Sequence, residues 1–312
     1  MKVVTAFQSR LDDELVYNSD MELANQEVAI YRQAKSGDEG ALSHLLEQAH
    51  YSYRYVDWHE PPEWLDDPTF LVAELPSKTD RQLFGCLRVT EEVSPAAWVR
   101  LAAVRHRNEA KEQMIKLFDG IMPYLRRQGV NSVGWLAATG WPEELLQDLD
   151  FEVANWITSY QSSIKSNSHD EFQYATVRPA GFGDVAELAR IEFKAFEPIW
   201  RLSRISLEKA FKYALSYDVA LIEEKAVGFQ LSVRGYNQRS AHLVRITVDP
   251  DVQGKGIGST LLARALSGYI EQGIGSISLN TQINNIASHR LYERFGFNRI
   301  GDQIPLYIRK IE

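Results

Sequence analysis

Two strand-to-helix junctions in this chain repeat each other. Arg32-Gln33-Ala34-Lys35-Ser36-Gly37-Asp38-Glu39 and Arg178-Pro179-Ala180-Gly181-Phe182-Gly183-Asp184 align with Arg32 on Arg178, 146 positions apart. Each offers a polar residue to cap the following helix: Ser36 or Asp38 in one, and Asp184 with Glu187 three residues on in the other. Residues 70–74 and 219–223 then read as buried strands, each with a return strand over 83–89 or 227–233. Val104 and Val248 close matching strands 144 positions apart, and Phe151 matches Phe297 at 146. A near-constant offset across four landmarks suggests one folding plan used twice, and 312 residues is a natural length for two domains. In each half, hairpin strands precede strand–helix–strand units. That order predicts an α/β fold in tandem, each unit a mixed, mostly antiparallel sheet flanked by helices.

The polar, aperiodic run from Ser162 to Asp170 predicts a linker over 162–173. The chain then divides into an N-terminal arm (1–28), a first domain (29–161) and a second domain (174–312). A net charge of −8 argues against a nucleic-acid backbone as the main partner, but leaves a basic acceptor open. Cys86 is the single cysteine, so no intrachain disulfide forms; it lies in a strand-like run as a packing residue. The first residues lack a signal peptide's apolar stretch, and no run approaches ~18 apolar residues. The expectation is a cytoplasmic protein with no membrane partner. The seven histidines show no metal-ligand spacing, so no metal is expected.

The strongest chemical signal is Val244-Arg245-Ile246-Thr247-Val248-Asp249-Pro250-Asp251-Val252-Gln253-Gly254-Lys255-Gly256-Ile257-Gly258-Ser259. Val244, Ile246 and Val248 alternate as a strand, and Pro250 stops the ladder. Leu261, Leu262, Ala265, Leu266, Tyr269 and Ile270 then recur at helical spacing. A glycine-rich turn thus leads into a helix N-terminus, where free amides and the helix dipole favour an anion. Lys255 and Arg245 add positive charge nearby. Taken alone, the turn fits phosphate binding or a tight loop before a packed helix. It is not a Walker A loop, and Glu271 falls inside the helix, the wrong place for a dinucleotide fingerprint.

Downstream, Ser276-Ile277-Ser278-Leu279-Asn280 reads as a strand. Asn284-Asn285 caps a helix over 286–294 that ends at Phe295-Gly296-Phe297. These residues resemble the GNAT superfamily of acetyl-CoA-dependent N-acetyltransferases. Gln253-Gly254-Lys255-Gly256-Ile257-Gly258 matches that family's glycine signature. Asn285, Leu291, Tyr292, Gly296 and Phe297 match its second one, in the same order and spacing. The resemblance covers 174–312 closely and 29–161 in outline. It implies that Ile246, Thr247 and Val248 pair with the pantetheine arm and that the amides of Gly254, Lys255, Gly256, Ile257, Gly258 and Ser259 hold the pyrophosphate. It further implies that Gln253 and Asn285 belong to the cofactor site and that Tyr292 is the acid protonating the leaving thiolate.

The implied reaction is direct attack of a neutral amine, on a small molecule or a peptide N-terminus, with the Val248 amide steadying the oxyanion. Where relatives acting on ribosomal-protein N-termini carry a glutamate base, this chain has Asn280. Glu223, Glu224 and His242 are the remaining acceptors of the proton, with solvent as the alternative. In the first half the three glycines become Ala110, Glu112 and Met114, and Glu109 and Glu112 oppose a pyrophosphate. That half is expected to bind no CoA, and instead to buttress the second or wall off its substrate. Tyr51, Tyr53, Tyr55, Trp58 and Trp64 either line such a wall or pack the core. Two alternatives stand beside the amine transferase. One is a non-catalytic acyl-CoA sensor. The other is acetylation of a small amino-sugar thiol, as in mycothiol synthase, a tandem enzyme that this chain resembles in architecture.

Overall fold

A computed structural model describes residues 29–55, 60–75, 82–136, 141–164, 174–235 and 237–312. The expected N-terminal arm, Trp58 and residues 165–173 of the linker lie outside these. The first half runs β1 (Ile30–Gln33), α1 (Glu39–Gln48), β2 (Tyr51–Arg54), β3 (Phe70–Leu75), β4 (Gln82–Val93), β5 (Ala96–Val104), α2 (Ala110–Arg127), β6 (Ser132–Leu136), α3 (Glu143–Asp148) and β7 (Glu152–Ser163). The second runs β8 (Thr176–Pro179), α4 (Val185–Ala195), α5 (Arg204–Tyr213), β9 (Ala214–Ile222), β10 (Lys225–Arg234), β11 (Ser240–Val248), α6 (Ile257–Glu271), β12 (Ser276–Gln282), α7 (Ile286–Arg294) and β13 (Asn298–Lys310).

The repeated junction folds the same way twice. Arg32 grips both oxygens of Asp38 at 2.7 and 2.9 Å, while the Lys35 amide donates to Asp38 Oδ2 at 2.8 Å. Arg178, Asp184 and the Gly181 amide repeat this, with all three bonds at 2.8 Å. A carboxylate that accepts from both a guanidinium and a backbone amide fixes the strand's exit before the helix starts. The aspartate, not Ser36, does this in the first half.

The two expected sheets are one. Its order is β1-β3-β4-β5-β6-β13-β7-β12-β11-β10-β9-β8, with β2 on β5 off that path. The last strand of each half has crossed into the other: β7 lies between β12 and β13, and β13 between β7 and β6. Tyr160 of β7 is consequently buried with Leu262, Tyr269 and Tyr292 of the second half. Tyr307 of β13 and Ile311 just beyond it are buried with Phe118, Trp135 and Phe151 of the first. Ser162 and Ser163, expected in the linker, instead pair with Ile277 and Ser276, because β12 supplies backbone partners that local polarity does not reveal. The helical spacing over 261–269 faces the core as expected, whereas Ile270 is 38% exposed. No helix among the described residues is long and apolar enough to cross a membrane.

Candidate active site

β11 and β12 run in parallel only from Ser240 and Ser276 to Leu243 and Leu279. At Val244 β11 bulges: Arg245 faces Leu231 on β10, but Ser232 faces Leu243. Beyond this point β12 stays against β7 and β11 against β10, so the two strands part and a gap opens. The Asp249 amide donates to the Val227 carbonyl at 2.8 Å, which sets the phase of the β10–β11 ladder. Antiparallel hydrogen-bonded pairs alternate. Val248 and Ile246 therefore turn their N–H and C=O groups away from β10, into the gap. Thr247 turns its backbone toward β10 instead, and its hydroxyl donates to Glu192 at 3.0 Å.

The glycine turn closes one end of this gap. Gly254 and Gly256 have φ of +77° and +81°, conformations open to glycine. A Cβ on Gly256 would also fall 2.3 Å from the ring of Tyr174. Among the described residues none of the amides over 254–259 donates within the protein; Thr260, bonded to the Gly256 carbonyl at 3.0 Å, is the first that does. Six amides without a protein partner thus lie at the start of a fifteen-residue helix, an arrangement able to take an anion. Ile257 and Ser259 are buried, leaving their amides as their contribution, while Lys255 is exposed. Gln253 Nε2 donates to the Val248 carbonyl at 3.0 Å, tying the turn to the gap. Arg245, expected near the phosphate, points the other way. It meets Glu192 at 3.3 Å, donates to the Trp200 carbonyl at 2.9 Å and covers the Phe196 ring.

Asn285 caps α7 as its sequence suggested: its Oδ1 accepts from the Ser288 amide at 3.1 Å. Tyr292, two turns on, is 4% exposed between Tyr160 and Phe297. Burial pushes its phenol up to about 12, although a hydrogen bond with Ser288 and the Arg245 charge pull it back. It is protonated at any working pH and is a weaker acid than an ordinary phenol.

Across the sheet from α6 lies a segment that sequence reasoning passed over. Glu192 on α4 is fully buried, and its carboxyl accepts from the Leu202 amide (3.1 Å) and Thr247. Burial raises its pKa, with Arg245 opposing. Val185, Leu188 and Glu192 lie at i, i+3 and i+7, so an acid on the buried face of an amphipathic helix was the available signal. Residues 196–203 arch from α4 to α5 and are held by the first half. Trp98 Nε1 donates to the Ile199 carbonyl at 2.7 Å, and Glu92 accepts from the Ser203 amide at 3.0 Å and from the Ser206 hydroxyl.

The suggested proton acceptors fare differently. Glu223 and Glu224 form the exposed β9–β10 hairpin turn, both at positive φ. His242 faces Ser278, Nδ1 to Oγ 2.9 Å, and burial pushes its imidazole down to about 4. Among the described residues no grouping of His, Cys, Asp or Glu is arranged to hold a metal ion.

In the first half the matching gap between β5 and β6 is filled. Pairing of β5 with β6 stops at Trp98 and Gly134, and β2 then takes the free edge of β5, Tyr51 on Val104 through Arg54 on Leu101. Tyr51 packs on Trp141 and Tyr53 on Trp135, Tyr55 on Trp98, and Trp64 on Phe70. The described members of the aromatic run pack on the core, with Tyr55 reaching toward the arch.

Residues 184–297 match the family model described as acetyltransferase (GNAT) family. An N-acetylaspartate synthetase of Xenopus tropicalis is 35% identical over 83 residues, 27% of this chain and 31% of that protein. A mycothiol acetyltransferase of Brachybacterium faecium is 33% identical over 91 residues, 28% of each. A ribosomal protein bS18-alanine N-acetyltransferase of Escherichia coli is 38% identical over 58 residues, 19% of this chain and 39% of the enzyme. The matches thus span less than half the length of these relatives. In fold, the chain is similar to a GCN5-related N-acetyltransferase from Sphaerobacter thermophilus, with a TM-score of 0.59 and 15% identity over 91% of this chain and 96% of that one. A tandem GNAT protein from the clavulanic acid biosynthesis pathway aligns with a TM-score of 0.58 and 10% identity, over 91% and 99%. Residues 184–297 thus carry the match to the GNAT acetyltransferase family, and the whole chain shares its fold with a tandem GNAT protein.

Proposed function

We propose that this protein is an N-acetyltransferase that moves the acetyl group of acetyl-CoA to a primary amine by direct attack. The observation that carries this is the gap between β11 and β12, into which Ile246 and Val248 aim backbone groups and whose end is the amide cradle over 254–259. An extended amide-bearing arm with a pyrophosphate at its end fits that shape and polarity. Ile246 and Val248 pair with the arm, and the Val248 amide steadies the carbonyl oxygen as charge develops on it. The amides of Gly254, Lys255, Gly256, Ile257, Gly258 and Ser259 take the phosphates, with Gln253 and Asn285 shaping the two sides.

Tyr292 donates a hydrogen bond to the leaving sulfur. Burial raises the Tyr292 phenol, so full proton transfer to a thiolate of ordinary pKa ~8.5 is uphill, and stabilisation of the thiolate is its role. No fixed base is assigned, and the ammonium proton leaves to solvent. Cofactor binding alone would not require a hydroxyl on this buried ring, which favours the enzyme over a non-catalytic sensor. Because β2 fills the first half's gap, each chain binds one acetyl-CoA. The relatives' names carry three different acceptors, so the acceptor is not inherited from them.

Calorimetric titration of acetyl-CoA into the wild type and Gly256→Glu tests the reading. One micromolar site per chain, lost in the variant, is expected. Absence of binding to the wild type, or two sites per chain, would overturn it.

A further inference from the structure

Register places two polar rows on the sheet face opposite the α6–α7 core. His242, Ser278, Gln161 and Asn298 are mutual partners across β11, β12, β7 and β13. Asn280, Ser159 and Ile300 form the next row, just where β11 has parted from β12. Partners on adjacent strands share a face. The intervening Leu279 and Tyr160 are buried with α6 and α7, so these rows face the side of α4, Glu192 and the arch.

Apart from Ile300 the rows hold hydroxyl, amide and imidazole groups, and they carry no charge: His242 is kept neutral by burial, and no acid or base occupies the other positions. The nearest acid along β13 is Asp302, in the segment between Ile300 and Ile304 that does not pair with β7. Ser159 Oγ donates to Asn280 Oδ1 at 2.8 Å, and among the described residues Asn280 Nδ2 has no protein partner. Asn280 is exposed and Ser159 half-buried, so two amide hydrogens and a hydroxyl lone pair are offered to whatever lies at the gap's mouth.

We propose that this floor is the acceptor subsite of the transferase read above, and that Ser159 and Asn280 select amines whose neighbouring groups are neutral hydroxyls or amides. The proposal rests on that reading. It also gives the first half a direct part in specificity, since Ser159 reaches the site only because β7 has crossed over. An isolated charged group has no counter-ion on these rows and loses water to lie there. A neutral hydroxyl or amide exchanges water for the Asn280 and Ser159 bonds.

The test is steady-state CoA release with three small amines: serinamide, aspartate and putrescine. The enzymes are the full-length wild type, Ser159→Asp and Asn280→Asp, with acetyl-CoA affinity as the control for folding. Serinamide is expected to have the highest kcat/KM in the wild type. Each aspartate variant should raise the putrescine-to-serinamide ratio about fivefold, the size of one exposed charge pair at ~4 Å, with acetyl-CoA affinity unchanged. Preference of the wild type for aspartate or putrescine, or ratios unmoved in both variants that still bind acetyl-CoA, overturns the subsite. A wild type that binds acetyl-CoA and acetylates none of the three overturns the subsite; if it also releases no CoA with a wider set of primary amines and peptide N-termini, the amine-transfer reading falls as well. Turnover with unmoved ratios overturns the subsite alone.

Discussion

At the scale of single residues, Tyr292 and His242 bracket the chemistry with opposite shifts. Burial holds His242 unprotonated down to about 4 and Tyr292 protonated up to about 12. Neither changes charge in the working range. Only the free-base amine can attack, so kcat/KM should rise with pH until the acceptor's own pKa and then level off. Exchanging acceptors of different amine pKa should move that midpoint with the acceptor; a midpoint that stays fixed would instead reveal an enzymic base. Replacing Tyr292 by phenylalanine removes one hydrogen bond to a developing charge, worth about 1.5–3 kcal/mol. A fall in kcat of about 10- to 150-fold with acetyl-CoA affinity intact is expected from parallel turnover and titration, and an unchanged kcat would remove the role. Tyr292 was legible because its motif fixes its place on α7. The direction of Arg245 was not: a bulge at Val244 changes which β11 side chains face α4, and one-sequence alternation does not reveal a bulge.

At the scale of elements, Asp249 ties the end of β11 to α4 just ahead of the glycine turn. Its carboxylate accepts from Arg190 at 3.0 Å and Lys194 at 2.8 Å, both on α4, and from the Asp251 amide at 3.1 Å. Burial alone would raise this carboxyl, but Lys194, the amide and Arg190 outweigh it and hold it at about 2. The folded pKa lies below the unfolded ~3.9, so the stabilisation is complete above about pH 4 and is lost as pH falls toward 2. Asp249→Asn should cost about 1–2 kcal/mol at pH 7, a figure discounted because Arg190 and Lys194 are 43% and 34% exposed. Chemical denaturation at stepped pH checks it: the gap from wild type should close between pH 4 and 2, and a constant gap would place the effect elsewhere. The strand, the turn and both helices of this site were readable from period, glycine and cap. The gap was not, because it depends on where β12 chooses β7 over β11, a non-local pairing with no local signature.

At the scale of the whole molecule, the repeat at 146 positions reads as two domains, and the strand exchange ties each to the other's sheet. A fragment over 174–312 would keep β13 but lack β7, the strand that lies between β13 and β12 in the sheet. It would expose the backbone edge of β12 from Ser276 to Gln282 and remove Tyr160 from among Leu262, Tyr269 and Tyr292. An unpaired edge beside a cored-out cluster favours aggregation over folding. The arch over 196–203 would also lose Trp98 and Glu92, which hold it from the first half. The fragment is therefore expected to be insoluble or molten by circular dichroism and to bind no acetyl-CoA. Co-expression with a second fragment over 29–164 should restore both, because β7 and β13 would again cross between the halves. A fragment over 174–312 that folds alone and binds acetyl-CoA at wild-type affinity would show that the exchange is dispensable. The first half would then be an appended unit, with no part in completing the site.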